Sequence, residues 1–238
     1  MRLDKFLAQN GIGSRSDVKE LIKKGRITVN KQIIKSPDAK ITDTDIIMLD
    51  NKEISAAKTR YYMLNKPAGV VSATKDNLDR TVIDILKDAG IPIKDLFPVG
   101  RLDKDTEGLL ILTQDGALAH NLLSPKKHID KTYYVQCAVP LNEDMKIALE
   151  EGVDIGDDKK TLKSIVKILS EKEMELTIQE GRFHQIKRML HAVNNEVIYL
   201  KRISMGRLCL DYSLNPGEFR ELTDSEVELL KNCERKSF

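Results

Sequence analysis

Apolar positions along this chain change period several times, and each change marks an element. Leu3, Phe6 and Leu7 recur at helical spacing, and Gly11-Ile12-Gly13 stops that helix. Ser14 or Ser16 can cap a second helix running to Lys24, with Val18, Leu21 and Ile22 on its buried stripe and Gly25 at its end. Residues 26–29 read as a short strand that turns at Asn30-Lys31, and residues 45–49 as a closing strand. Residues 54–60 are mostly small or polar and show no period. They predict a unit over residues 1–56, a linker over 57–60 and a larger unit over 61–238.

In the larger unit, strand-like runs fall at 61–64, 70–72, 109–113, 133–139, 164–169, 174–179 and 197–203. Helical periods fall at 117–123, 143–150, 183–193 and 224–233. The helices are too few and too irregularly placed to alternate with the strands. The expected class is therefore α+β: a small α/β unit, then a mixed, largely antiparallel sheet flanked by helices, rather than a doubly wound parallel one.

A chain of 238 residues is long enough for a sizeable core. Its net charge of +2 hides an asymmetry. Residues 1–35 carry nine Lys or Arg against three acids, a surplus of +6, so the remainder sums to −4. The exposed face of the second helix would present Lys19, Lys23 and Lys24, with Arg15 at its start and Arg26 just past its end; Arg2 and Lys5 belong to the first. A basic segment on a nearly neutral body is an electrostatic footprint for a polyanion. Cys137, Cys209 and Cys233 lie far apart with no C-x-x-C pair, which argues against a disulfide framework or zinc site and fits a reducing cytoplasm. No run of about 18 apolar residues occurs and the N-terminus lacks the apolar core of a signal peptide, so a cytoplasmic protein without a membrane partner is expected.

Candidate chemistry concentrates in Gly100-Arg101-Leu102-Asp103-Lys104-Asp105-Thr106-Glu107-Gly108, a charged loop that runs into an apolar strand. The residues leave three readings open. Asp103 can be a turn or capping residue. It can be an acid held at the lip of a strand, with Arg101 two positions before it. Or Asp103, Asp105 and Glu107 can gather oxygen ligands around Mg²⁺ for phosphodiester cleavage; no further acidic cluster completes such a site, so no metal is expected. Tyr133 and Tyr134 point to opposite faces of their strand, so only one can face a site. A helix starting just after Gly181 would turn Phe183, Ile186 and Leu190 inward. Lys187 or Arg188 could then reach toward a site, with Arg182 and Arg188 available for phosphates.

The helix–helix–Gly-Arg-Ile-Thr-Val-Asn order of the first 50 or so residues resembles the S4 RNA-binding domain. Four segments of the larger unit resemble, in order, the signatures of the RsuA-type RNA pseudouridine synthases. Asn65-Lys66-Pro67-Ala68-Gly69 is similar to their N-K-P-x-G motif, otherwise simply a turn. The run from Gly100 to Leu110 matches G-R-L-D-x-x-T-x-G-L-L at every specified position. Lys131-Thr132-Tyr133-Tyr134-Val135 is similar to K-x-Y-x-V, and the run from Glu180 to Met189 to E-G-x-x-x-Q-[IV]-[KR]-R-M.

The resemblance implies the roles. Asp103 is the one indispensable carboxylate, Tyr133 packs against the target base, and Lys187 pairs with Asp103, with Arg188 as the alternative. Ile186 would help hold the flipped base, and Arg101 would contact RNA or brace the loop. Arg2, Lys5, Arg15, Lys19, Lys23, Lys24 and Arg26 would contact phosphates, positioning RNA without reading sequence. The implied reaction breaks the N1–C1′ bond of a uridine, turns the uracil and joins C5 to C1′, through attack at C1′ or elimination at C2′. No external atom enters, so no cofactor is expected, and one carboxylate serves where glycoside hydrolysis uses two. Large-subunit relatives usually carry Asn-Arg where this chain has Phe183-His184. The implied substrate is therefore 16S ribosomal RNA in a partly assembled small subunit, acted on by a monomer, with position 516 as the nearest named activity. Action on 23S ribosomal RNA and a non-catalytic ribosome-assembly role are the alternatives.

Overall fold

Two helices open the chain, α1 (Leu3–Gln9) and α2 (Arg15–Lys23), in a computed structural model that describes residues 1–42, 44–54 and 59–233. Ser14 caps α2: its hydroxyl accepts from Asp17 N while the Asp17 carboxylate accepts from Ser14 N. Four short strands follow: β1 (Ile27–Val29), β2 (Gln32–Ile33), β3 (Ile47–Leu49) and β4 (Lys52–Glu53), in the order β2-β1-β3-β4. Two-residue turns at Asn30-Lys31 and Asp50-Asn51, all four residues at positive φ, join the hairpins. Leu3, Leu7, Val18, Ile22, Ile27, Ile41 and Ile47 form the core.

The cations expected to meet RNA divide into two groups. Lys5, Arg15, Lys19 and Lys23 are exposed and make no ion pair with the described residues. Arg2 pairs with Asp4 and Lys24 with Glu20, at 2.8 and 2.7 Å, and Arg26 pairs with Asp50.

Contacts divide the chain into Met1–Thr59 and Arg60–Phe238. Residues 57 and 58 of the expected linker lie outside the described residues. The second unit runs β5 (Tyr61–Lys66), α3 (Val82–Asp88), β6 (Phe97–Pro98), β7 (Glu107–Thr113), α4 (Gly116–Leu123), β8 (Lys131–Cys137) and α5 (Glu143–Glu151). It continues with β9 (Ile165–Ser170), β10 (Glu173–Ile178), α6 (Gln185–Ala192), β11 (Val197–Met205), β12 (Leu208–Cys209), β13 (Phe219–Glu221) and α7 (Asp224–Lys231). The sheet follows the order β13-β5-β7-β11-β8-β10-β9, with β6 beside β7 and β12 beside β11. Among the described strands only β7 and β11 pair in parallel. The unit is α+β with a mixed, largely antiparallel sheet.

Strand β7 is apolar from Leu109 to Leu112 because both its faces are covered there. Leu110 and Leu112 join the core packed by α3, α5 and α6, while Leu109 and Ile111 join the one packed by α4 and α7. Two expectations need correction, and one helix has no counterpart among them. Residues 70–72 form no strand: Val71 makes an isolated bridge to Thr81, and Ser72 turns inward to bond Leu102. Helix α3 went unread. Helix α6, before β11, starts at Gln185 rather than after Gly181, which turns Phe183 outward, 73% exposed, instead of onto the inner stripe.

The parallel pairing sets a tight constraint at the start of β7. Gly108 sits at φ +100°, and a Cβ there would lie 2.2 Å from Arg202 O and 2.8 Å from Arg202 N. Arg202, nearly fully buried, donates from Nε to Leu109 O at 2.8 Å and locks the same junction. Gly108→Ala should therefore cost about 3 kcal/mol or more in urea unfolding, through both backbone overlap and disallowed φ. A loss under about 1 kcal/mol would show that β11 can move aside.

Candidate active site

The aspartate loop is built from below. Lys66 ends β5 completely buried, and its ammonium donates to the carbonyls of Thr106 (2.8 Å), Pro67 (3.0 Å) and Lys104 (3.2 Å). Burial pushes its pKa down to about 8, while the carboxylates of Asp105, Glu107 and Asp103 pull upward. Gly69 N donates to Lys104 O at 2.7 Å. Ser72 Oγ donates to Leu102 O and accepts from Leu102 N, at 2.9 and 3.0 Å. Thr106 N closes the turn on Asp103 O at 3.1 Å. With these ties the loop holds Asp103 at the lip of β7, its side chain 30% exposed.

The N-terminal end of α6 meets the loop from the side. Lys187 Nζ lies 2.7 Å from both carboxylate oxygens of Asp105 and 3.6 Å from Asp103 Oδ2. His184 Nε2 lies 3.7 Å from Asp103 Oδ1. The Lys187 hydrogen bond holds the Asp105 carboxyl below its usual range, against partial burial. Glu107 accepts instead from the Tyr199 hydroxyl at 2.6 Å, so the three alternating carboxylates have three different surroundings. That geometry favours one acid in a cleft over a shared metal site.

Strand alternation settles the two tyrosines. Tyr133 is buried and lines the cleft with Asp103, while Tyr134 faces the other way and meets Tyr199 edge-on at 6.1 Å. The cleft is small, about 80 Å³, and Arg101, Ile186 and Lys187 also line it. Arg101 is exposed at its rim.

Arg188 is elsewhere. It binds Asp157 at 2.5 Å and the carbonyls of Ile155 and Phe183, and it makes no ion pair with Asp103. Arg182 donates to Lys159 O (2.6 Å), Lys160 O (2.8 Å) and Glu180 (3.0 Å). Both were expected to be free for phosphates; both instead pin residues 155–160 to the turn before α6. Sequence reasoning also missed His184 beside Asp103, the buried Thr106 hydroxyl that lines the cleft with no protein partner among the described residues, and the apolar walls Ile178 and Leu200. Lys66 had a signal, a lysine closing an otherwise apolar strand, but it read as part of a turn.

A carboxylate with an ammonium 3.6 Å away, lining a small cleft with an aromatic ring, can act on carbon or on a proton without a metal. Residues 60–192 match the family model for RNA pseudouridylate synthase, and residues 1–47 that for the S4 domain. An uncharacterised RNA pseudouridine synthase of Bacillus subtilis is 45% identical over 97% of this chain and 98% of its own length.

The chain belongs to the RNA pseudouridylate synthase family.

Ribosomal small subunit pseudouridine synthase A of Vibrio cholerae is 40% identical, over 95% of this chain and 98% of that one. A pseudouridylate synthase crystal structure superposes with a TM-score of 0.68 at 39% identity, covering 97% of this chain and 99% of the other. The chain is thus an RsuA-type pseudouridine synthase with an S4 RNA-binding domain.

For this synthase the Lys66 anchor yields a direct test. Lys66→Met leaves three carbonyls without their shared donor and should cost about 1–3 kcal/mol of stability. Activity should fall further than stability explains, because the loop carrying Asp103 loses its support. A variant that unfolds at the wild-type urea midpoint and turns over normally would show that the loop holds itself.

Proposed function

We propose that the protein isomerises one uridine of 16S ribosomal RNA to pseudouridine, at the position corresponding to 516, with Asp103 as the essential carboxylate. The observation that carries the substrate is identity of about 40% over nearly the whole chain, both domains included, to relatives named for the small ribosomal subunit. In the proposed mechanism the target uridine leaves its stack, at a cost of a few kcal/mol, and enters the cleft against Tyr133 and Ile186. Asp103, with the Lys187 ammonium 3.6 Å away, attacks C1′ or removes the C2′ proton. The N1–C1′ bond breaks, the uracil turns and C5 bonds to C1′, displacing the Asp103 oxygen or, on the second route, as Asp103 returns the C2′ proton; the C5 proton then leaves as N1 gains one. Atoms balance with no cofactor.

Lys5, Arg15, Lys19 and Lys23, exposed and without ion pairs among the described residues, are suited to phosphates in this reading; Arg2, Lys24 and Arg26 can join them by exchanging partners. Such contacts supply binding energy that offsets base flipping. The proposed setting is a monomer acting in the cytoplasm on a partly assembled small subunit, where single-stranded elements remain accessible.

Pseudouridine mapping across ribosomal RNA tests the proposal. A strain lacking the gene should lose one 16S pseudouridine and regain it with the wild-type gene. Asp103→Asn should fold normally, bind RNA and fail to restore it. Loss of a 23S site would overturn the substrate. Restoration by Asp103→Asn, or residual turnover within about tenfold, roughly 1.4 kcal/mol of barrier, would overturn the role of Asp103.

A further inference from the structure

Phe183 is the aromatic that the cleft leaves outside. Its ring is 73% exposed, in a turn where a helix was expected to bury it. It stacks on His184 with centroids 3.8 Å apart and planes 21° from parallel. The far edge of His184 reaches Asp103 Oδ1 at 3.7 Å. The order from solvent inward is therefore aromatic ring, imidazole, catalytic-loop carboxylate. The outer face of Phe183 is open.

The turn that presents the ring is rigid. His184 adopts the left-handed region, φ 48° and ψ 35°, without a capping bond of its own. Non-glycine residues hold that conformation when neighbours fix it. Here Gln185 Oε1 accepts from Arg182 N at 2.9 Å, and Gln185 Nε2 donates to Glu180 Oε1 at 2.9 Å. Arg182 is itself fastened to the carbonyls of Lys159 and Lys160, and Arg188 binds Phe183 O at 3.2 Å. An exposed aromatic held this firmly presents a flat apolar face at little ordering cost.

We infer that Phe183, backed by His184, is a stacking platform for the base of a nucleotide next to the target uridine. The inference rests on the synthase reading of the Asp103 cleft. In that reading the target base fills the cleft, so a neighbouring base lies outside it. When the target uridine leaves its stack, the adjacent base loses a partner and exposes one face. An aromatic side chain beside the cleft replaces that partner, and base–aromatic stacking contributes about 1–3 kcal/mol. Phe183 offers such a face on the imidazole that touches Asp103. The platform thus offsets part of the flipping cost, and it favours targets whose neighbour is free to unstack. Both Arg182 and Arg188 are engaged in the protein, so at this turn the ring rather than either guanidinium meets the neighbouring base.

The test uses the full chain and a fragment of small-subunit ribosomal RNA containing the target uridine, with 2-aminopurine placed first 5′ and then 3′ of it. Bound to Asp103→Asn, the probe at one flank should be quenched, and adding Phe183→Ala should remove at least about half of that quenching. With otherwise wild-type protein, Phe183→Ala should lower kcat/KM about fivefold or more. Phe183→Tyr should retain activity. Phe183→Leu, which still covers His184 but lacks a π face, should not. An exposed site makes folding effects small, and equal melting temperatures check this. Normal kcat/KM in Phe183→Ala, quenching unchanged at both flanks, or full rescue by leucine would overturn the platform while leaving the synthase reading intact. A wild-type protein that leaves the fragment's uridine unmodified would instead count against the proposed substrate, and the platform would fall with it.

Discussion

One ammonium joins the two halves of the candidate active-site cleft. Lys187, on the first turn of α6, is 2.7 Å from Asp105 and 3.6 Å from Asp103, residues 82 and 84 positions earlier in the chain. Without a cation there, two carboxylates on one short loop would repel each other and both would lose charge stabilisation as the cleft excludes water. In our account Asp105 sets the position of the ammonium and Asp103 uses its field. The close pair is the exposed one: Asp105 is 70% exposed against 30% for Asp103, so the shorter contact lies where water screens it more. Distance alone would rank Asp105 as the important partner; burial reverses that order.

The rest of the unit supports this meeting. Gly108 lets β7 approach the backbone of Arg202 on β11, and α6 leads directly into β11, so the loop before β7 and the helix before β11 are fixed by one sheet junction. Lys66 fastens the loop from inside through three carbonyls. Lys66 and Arg202 both carry a price in burial, a lysine with no exposed surface and an arginine whose Nη2 has no partner among the described residues, and each is placed where it holds backbone.

Much of this was legible in the chain. The aspartate loop declares itself through two glycines, a charged run and an apolar strand, and alternation along β8 separates Tyr133 from Tyr134. What periodicity could not show depends on contacts distant in sequence. Phe183 lies at a helical position relative to Ile186 and Leu190, yet the Gln185 side chain bonds the preceding turn, delays the helix and rotates the ring outward. Arg182 and Arg188 read as free cations because residues 155–160, which occupy them, carry no pattern. Helix α3 is only seven residues long, and its Thr81–Asp84 capping box is a stronger signal than its apolar spacing. Adjacent Lys187 and Arg188 were indistinguishable by period; the fold separates them by sending one to Asp105 and the other to Asp157.

The central claim is that Lys187 serves Asp103, with Asp105 only seating it. Single-turnover pseudouridine formation at saturating RNA, measured for Lys187→Met, Asp105→Asn and the double variant, tests it most directly. The account predicts a loss of about a hundredfold or more for Lys187→Met, under about tenfold for Asp105→Asn, and a double variant no slower than Lys187→Met. Equal losses in the two single variants, or a Lys187→Met rate within about tenfold of wild type, would contradict it.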